Sequence, residues 1–146
     1  MPDVVDSLDE HIAVAGSIDR AALLPGMYLG WCVRLSLVTK AFKAAPQTAA
    51  LRLNYGEGSG VELLVGCGGS LRYDWLSNEG QAFTRHYYPQ YTTDWEQVFG
   101  VDRYAVEDNW SNYEQLAPVL TRALYAYTDQ SKSPKGLSRW KFWQWH

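Results

Sequence analysis

Apolar side chains recur at three- and four-residue spacing along much of the chain, which is the pattern of helices that bury one face. The clearest stretch predicts a helix from about Leu24 to Ala41, with Pro25 in the first turn, where its missing N–H is not needed. The apolar positions of its inner stripe are Leu24, Met27, Tyr28, Trp31, Cys32, Leu35 and Val38. A stripe of this width is typical of a helix that packs on a core.

A second helix is predicted over residues 79–88. Asn78 followed by Gln81 forms a capping box, in which each side chain satisfies a free backbone N–H at the start of the helix. Pro89 is expected to stop or kink the helix, because proline lacks the N–H that the next turn requires. The predicted inner face consists of Ala82, Phe83, His86 and Tyr87.

Two further capping boxes predict helices in the second half of the chain. Thr93, with a glutamate three residues later, opens a short helix that Gly100 ends. Ser111, also followed by a glutamate, opens a longer helix in which Pro118 marks a kink or a separate first turn. The apolar positions of this longer helix are Tyr113, Leu116, Ala117, Leu120, Ala123, Leu124 and Tyr127.

The segments between these helices carry weaker patterns. Ser7 is predicted to cap a short helix over residues 8–14. Residues 47–53 fit either a short helix or an extended piece, and residues 71–76 predict one or two helical turns. The length and the β-branched ends of residues 61–65 favour a strand, whereas the Gly-Ser-Gly sequence before them, followed by Glu62, allows a short helix, which is the interpretation that we prefer.

These elements predict a mostly α protein, a compact single-domain helical bundle of five to six helices with at most a minor β element. A length of 146 residues suits one domain. Residues 1–22 are expected to form an N-terminal segment and residues 23–128 the helical domain. Residues 129–146 form a basic, Trp-rich tail that is expected to dock on the domain.

Aromatic and charged residues narrow the choice of partner. The chain has seven Trp, ten Tyr and four Phe, more than a small core hides, so some are expected on a contact surface. Residues 1–128 carry a net charge of −6 and residues 129–146 one of +3. An acidic body argues against nucleic acid, whose phosphates need a basic face, and suits a protein partner with a basic contact surface.

The N-terminus and the cysteines indicate a cytoplasmic protein. Acidic residues stand where a signal peptide needs positive charge, and no apolar run approaches the roughly 18 residues of a membrane span. We therefore expect no membrane partner. Cys32 and Cys67 form no CxxC pair, and two free thiols are the expectation in a reducing compartment.

Motifs for catalysis or for metal and cofactor binding are missing. His11, His86 and His146 lie far apart in the sequence and lack ligand spacing, and the glycine-rich stretches match no phosphate-binding motif. Cys67 stands in a Gly-Cys-Gly sequence like that of a nucleophile elbow, but the glycines after it discourage the helix that such a site needs. We therefore predict no catalytic residue, no metal site and no cofactor.

An acidic and aromatic cluster in the second half of the chain is the strongest candidate for a functional surface. The residues predicted to bind a partner are Glu107, Asp108, Asn109, Trp110, Tyr113 and Glu114. Two other interpretations stay open for the carboxylates at 107 and 108. They are ordinary acids beside the positive end of a helix, or a catalytic pair.

Three sequence segments resemble an uncharacterised bacterial domain family. They are Gly26-Met-Tyr-Leu-Gly-Trp31, the stretch from Asn78 to Tyr88 with Tyr91 and Asp94, and Tyr104-Ala-Val-Glu-Asp-Asn-Trp110 with Tyr113. The family has a Gly-Met-Tyr-Leu-Ala-Trp helix, a Glu-Gly-Asn-Ala-Phe helix that continues to a Tyr-Tyr pair, and a Val-Glu-Asp-Thr-Trp segment. The resemblance covers roughly residues 22–127 and implies a compact, mostly helical domain.

The chain departs from this family pattern at two places. The family tends to have His-Ile before Gly-Met, where this chain has Leu24 and Pro25, so any role of that histidine is lost here. The family's asparagine after Glu-Gly is Gln81 in this chain. Similar small orphan domains often accompany antibacterial toxins as immunity proteins, and the resemblance implies such a role by kind rather than by any single residue.

Three functions follow as expectations. The first is an immunity protein that binds and neutralises a cognate bacterial toxin acting in the cytoplasm. The second is a small enzyme of unfamiliar type that uses Glu107, Asp108 and His86, which requires these side chains to converge in one pocket. The third is an oligomeric adaptor or scaffold whose tail, residues 129–146, docks on another protomer.

Overall fold

A computed structural model describes residues 4–44 and 58–132 of the chain. The α-helices of this part are α1 (Ile12–Ala15), α2 (Ile18–Ala21), α3 (Leu23–Arg34), α4 (Lys40–Ala44), α5 (Gly60–Gly66), α6 (Asn78–Phe99) and α7 (Trp110–Lys132). The other elements are the strands β1 (Val4–Ser7) and β2 (Ser70–Arg72) and the 3-10 turns Leu8–Glu10 and Tyr73–Trp75. The predicted mostly α class with a minor β element is confirmed.

Helix α3 lies at the centre of the fold. Every residue from 23 to 33 is buried, so α3 is enclosed on all sides rather than along the single stripe that the sequence predicts. Its polar ring atoms find partners on the surrounding helices. The Trp31 indole N–H donates to the Thr121 hydroxyl at 3.1 Å, and the Tyr28 hydroxyl lies 2.9 Å from that of Thr84. These bonds tie α3 to α6 and α7 without leaving buried polar groups unpaired.

Helix α3 ends seven residues before the predicted end at Ala41. Ser36 adopts the left-handed conformation with φ of 59°, and the Leu37 N–H donates to the Cys32 carbonyl at 2.8 Å. This bond closes the helix in the manner of a Schellman motif. The chain then runs extended, and Val38 pairs with Leu76 in an isolated β-bridge. The apolar pattern continues past the end of α3 because Leu37 and Val38 are also buried, although their backbone is extended.

Helices α3 and α5 pack backbone against backbone. A Cβ atom on Gly60 would lie 1.9 Å from the Gly26 carbonyl oxygen and 2.7 Å from the Gly30 nitrogen. Likewise, a Cβ on Gly26 would lie 2.7 Å from the Cα of Val61. Glycine is therefore required at this contact for the space it leaves, since a side chain would force the two helices apart.

Helix α5 bears out the helical interpretation of residues 61–65. Ser59 caps it, since its hydroxyl accepts from the Glu62 N–H while the Glu62 carboxylate accepts from the Ser59 N–H. This reciprocal pair is a complete capping box and satisfies two backbone donors at the helix start.

Helix α6 is one continuous helix, so the prediction of two helices separated at Pro89 is wrong. Ser77 caps it by accepting from the Gly80 N–H at 3.1 Å, and the predicted cap Asn78 is the first helical residue. Pro89 lies on the exposed face of this helix, so its ring does not pack against the core. The helix continues although the proline lacks a backbone N–H. Thr93 consequently lies inside the helix, while Gly100 ends it as predicted, with φ of 96°.

Helix α7 also starts at a different cap from the predicted one. The Asn109 side-chain oxygen accepts from the Asn112 N–H at 2.8 Å, which leaves Ser111 inside the first turn. Exposed Pro118 lies within the helix, which therefore has no separate first turn. The helix extends to Lys132 and includes the first residues of the predicted tail.

The predicted helix over residues 8–14 is found as two shorter helical pieces, the 3-10 turn Leu8–Glu10 and α1 (Ile12–Ala15). Residues 4–7 form β1, which pairs antiparallel with β2, and the Ser7 side chain makes no capping bond. Residues 71–76 contain the end of β2 and one 3-10 turn rather than a regular helix. The predictions for residues 47–53 and for docking of the tail over residues 133–146 lie outside the described residues.

Within residues 4–44 and 58–132, no helix has the length and apolar character that crossing a lipid bilayer would demand.

Cys32 and Cys67 are both free thiols, the first buried and the second half-buried. Burial raises the pKa of both thiols, so neither is activated as a thiolate.

Candidate functional site

A cavity of about 430 Å³ lies where α3, α5 and the start of α7 meet. Four of the six residues predicted to bind a partner line it, namely Asp108, Asn109, Trp110 and Tyr113. The other lining residues come from α3 and from the start of α5, and they are Met27, Arg34, Gly58, Ser59, Gly60 and Glu62. Glu107 and Glu114 are exposed and are not part of the lining.

The capping box of α5 joins the cavity wall to the segment before α7. The Ser59 hydroxyl donates to the Asp108 carboxylate at 2.7 Å while it also accepts from the Glu62 N–H. Burial raises the pKa of Asp108, and the negative charges of Glu62 and Asp19 raise it further against the lowering effect of the Ser59 bond. The cavity edge therefore holds carboxylates that repel one another.

Two aromatic rings also line the cavity. The rings of Trp110 and Tyr113 stack with centroids 5.3 Å apart, and the Arg34 guanidinium carbon lies 4.8 and 4.6 Å from the two centroids. Burial raises the pKa of Tyr113 despite the lowering effect of Arg34. Trp110 remains 53% exposed. The exposed indole is thus held in place by a cation–π contact and a stacked neighbour.

The structure separates the residues of the enzyme hypothesis. Asp108 lines the cavity, but His86 lies on α6 with its ring 4.7 Å from that of Tyr127. His86 is exposed, so its prediction as an inner-face residue is wrong. The Glu107 carbonyl accepts from the Asn112 side chain, which fixes the backbone just before α7. Neither Glu107 nor His86 lines the cavity that Asp108 lines.

No group of three or more histidine, cysteine, aspartate or glutamate side chains in residues 4–44 and 58–132 is arranged to hold a metal ion.

A partly buried polar network that the sequence did not indicate holds the N-terminal segment. The His11 Nε2 lies 2.9 Å from both carboxylate oxygens of Asp6, and its Nδ1 contacts the Tyr104 hydroxyl. The Tyr88 hydroxyl donates to the same carboxylate at 2.6 Å. Arg20 donates to the Tyr104 carbonyl at 2.6 Å. The network therefore anchors the loop between α6 and α7, which carries Asp108.

Sequence reasoning missed Arg34, Ser59 and Glu62 as site residues. A signal was present for two of them, since Ser59 and Glu62 have the spacing of a capping box after a glycine-rich stretch. Nothing in the sequence placed that box beside Asp108, which lies 49 residues further along the chain. The apolar periodicity predicts that α3 ends at Ala41, so the sequence did not show that Arg34 is its last residue.

Comparison with protein families identifies the family of this chain. The model of the family described as Domain of unknown function (DUF7832) matches residues 5–107 of the chain. No curated protein and no solved structure matches the chain. The matched range includes the motif segments at 26–31 and 78–88 and ends just before Asp108. This match agrees with the resemblance to an uncharacterised family, and the family description names no activity.

Proposed function

The chain belongs to the family described as Domain of unknown function (DUF7832), and we propose that it binds a protein partner at the cavity beside Trp110. The proposed partner is a cognate bacterial toxin, which makes the chain an immunity protein. Toxin and inhibitor meet in the cytoplasm in this proposal. The chain covers the toxin's active surface and performs no reaction itself.

The half-exposed but firmly held Trp110 is the observation that carries the proposal. Tryptophan is among the residues that contribute most to protein interfaces, because a large ring fills a partner pocket at small entropic cost. Here Tyr113 and Arg34 already fix the ring on one side. An exposed ring that is preorganised in this way loses little freedom on binding, so more of its contact energy appears as affinity.

The charge around Trp110 favours a basic partner surface. Glu62 and Asp108 line the cavity, and Glu107 and Glu114 are exposed beside it on the same part of the molecule. Complementary charge speeds encounter and selects against acidic partners. Enzymes that act on nucleic acids or nucleotides carry basic active surfaces, so a toxin of that class suits this acidic patch.

Replacing Trp110 by alanine is expected to weaken the complex with the toxin encoded next to this chain by roughly 30- to 1000-fold, as for an interface hot spot. Titration calorimetry with the purified toxin measures the loss. Tyr125→Ala is the matched control, because Tyr125 is a similarly exposed aromatic residue, 55% accessible, further along α7. Its removal is expected to leave the affinity unchanged.

Growth of cells that express the toxin gives an independent readout. Co-expression of the wild-type chain should restore growth, Tyr125→Ala should do so equally, and Trp110→Ala should fail at matched protein levels. If the wild-type chain neither binds the toxin nor protects the cells, the immunity proposal is wrong.

A further inference from the structure

We infer that the cavity receives one basic side chain of the partner, with its charge at the carboxylates of Glu62 and Asp108 and its aliphatic stem against Trp110. This inference rests on the proposed function in taking the occupant from a protein. It goes further in naming the chemistry of the contact. A single arginine or lysine is specified, rather than an apolar residue or an acidic one.

The size and shape of the cavity suit a single long side chain. Its volume of about 430 Å³ lies near the lower end of the range of about 300–1,000 Å³ for ligand pockets. The aromatic ring of Trp110 and the side chain of Met27 supply apolar surface, and the carboxylates supply charge. Long basic side chains need this combination, because they bury an apolar stem while the charged head seeks oxygen partners.

The carboxylates of the cavity lack an internal counter-ion among the described residues. The hydrogen-bond donor to the Asp108 carboxylate within those residues is the neutral Ser59 hydroxyl. The charges acting on Asp108 come from Glu62 and Asp19, and both disfavour its ionised form. A partner cation would relieve this repulsion, so its binding is favoured beyond the pair interaction alone.

Arg34 does not fill the role of that counter-ion. Its guanidinium lies over the rings of Trp110 and Tyr113, and no carboxylate of the described residues lies within ion-pair distance of it. It is likewise absent from the groups that lower the pKa of Asp108. The lining therefore keeps an excess of negative charge, which disfavours an acidic occupant.

Small probes test the contact without any partner. N-acetyl-arginine amide carries the basic side chain, and N-acetyl-citrulline amide is its neutral counterpart of nearly equal shape. The full chain labelled with 5-fluorotryptophan reports binding through the ¹⁹F signal of Trp110, which Trp110→Phe assigns. The arginine probe is expected to shift this signal in a saturable way. Equal shifts with the citrulline probe would overturn the inference.

Charge-neutralising variants locate the contact. Asp108→Asn keeps an acceptor for Ser59, and Glu62→Gln keeps the capping box, so both should fold. Each is expected to weaken arginine-probe binding roughly three- to fivefold, the size of one partly exposed ion pair. Asp129→Asn removes the same charge from an exposed position near the other end of α7 and should have no such effect. Equal affinities in all three variants would refute the cavity as the site.

The same variants separate this inference from the proposed function. If the toxin complex forms with wild-type affinity in Asp108→Asn and Glu62→Gln, the partner binds but the basic side chain does not enter this cavity. If the arginine probe binds and depends on both carboxylates while no toxin complex forms, the cavity chemistry stands and the immunity role is wrong.

Acidification is expected to weaken arginine-probe binding. The cation binds ionised Asp108, whose pKa is raised above the ordinary 3.8 by burial and by Glu62 and Asp19. The affinity should therefore start to fall at a higher pH than an unperturbed aspartate would dictate. In the Glu62→Gln variant the midpoint of this pH dependence should move to lower pH, because one of the negative charges that raise the pKa of Asp108 is gone. A midpoint that is the same in both proteins would contradict the proposed coupling.

Discussion

Replacing Gly60 by alanine is expected to destabilise the protein by about 3 kcal/mol, at the upper end of the cost of overpacking a core. The added methyl group would lie 1.9 Å from the Gly26 carbonyl oxygen and 2.7 Å from the Gly30 nitrogen. Both neighbours are backbone atoms of α3, so no side-chain rotation relieves the clash. The helices must separate, and the better helix propensity of alanine, worth up to about 1 kcal/mol, is too small to compensate.

Gly66→Ala is the matched control for this experiment. Gly66 is the last residue of the same helix, and a Cβ atom there meets nothing within 4 Å. Its substitution should leave the free energy of unfolding unchanged or raise it slightly. Urea denaturation followed by circular dichroism measures both variants. A Gly60→Ala protein as stable as Gly66→Ala would mean that α3 and α5 are further apart than the structure shows.

The Gly60 substitution should also damage the candidate site. Arg34 and Met27 reach the cavity from α3, whereas Ser59 and Glu62 reach it from the start of α5. Moving the two helices apart changes the distance between these walls. The close glycine contact therefore sets the width of the cavity as well as the stability of the core.

Replacing His11 by alanine is the second change with a large expected effect, a loss of about 3 kcal/mol of unfolding free energy. His11 and Asp6 are nearly buried, with side chains 11% and 12% exposed. Removing His11 leaves the Asp6 carboxylate nearly buried, and the donors that remain to it among the described residues are the Tyr88 hydroxyl and the Ser7 N–H. Taking a hydrogen-bond partner from a buried polar group typically costs about 1–3 kcal/mol, and more where the group is a carboxylate, because it loses a donor while it stays out of water.

A second substitution tests the cause of this loss. Asp6→Asn in the His11→Ala background removes the stranded charge, so the double variant should recover part of the lost stability. His86→Ala is the control, since His86 is exposed and touches the Tyr127 ring, and it should cost less than about 1 kcal/mol. Guanidinium chloride denaturation at neutral pH compares the proteins. Purely additive losses in the double variant would contradict the charge explanation.

The His11 network also matters for the proposed contact. Tyr104 lies four residues before Asp108. Its hydroxyl contacts the His11 ring, and its carbonyl accepts a hydrogen bond from Arg20. The loop that carries Asp108 is therefore fixed from the N-terminal side of the fold, while Ser59 holds it from α5. Loss of His11 should consequently loosen the acidic side of the cavity before it affects the rings of Trp110 and Tyr113.

The sequence predicts that the long helices exist, but it does not predict the residues at which they begin and end. The predicted caps Asn78 and Ser111 each lie one or two residues inside the helix, because Ser77 and Asn109 offer equally good capping oxygens. Pro89 interrupts neither its helix nor the packing of the buried rings on either side of it, Tyr87 and Tyr91. A capping residue contributes about 1 kcal/mol and a proline inside a helix costs about 3 kcal/mol, and the burial of a whole helix face outweighs both.

The candidate site was predictable only where its residues are neighbours in sequence. Asp108, Asn109 and Trp110 are consecutive, and Tyr113 follows one turn later on the same helix. Residues one turn apart meet whatever the rest of the fold does. The remaining walls come from Arg34, 79 positions before Tyr113, and from the α5 cap, so no local pattern connected them with the cluster.

The sequence by itself determined the helical class, the glycine stop after α6 and the acidic, aromatic segment from 107 to 114, because each depends on contacts within a few residues. The tertiary structure decided that α3 is enclosed on every side, that Gly26 and Gly60 bring two helices into backbone contact, and that His11 pairs with Asp6 and Tyr104. These features join segments up to 93 residues apart. Their energies arise from close packing and from partners for buried charge, and both exist only after the distant segments have met.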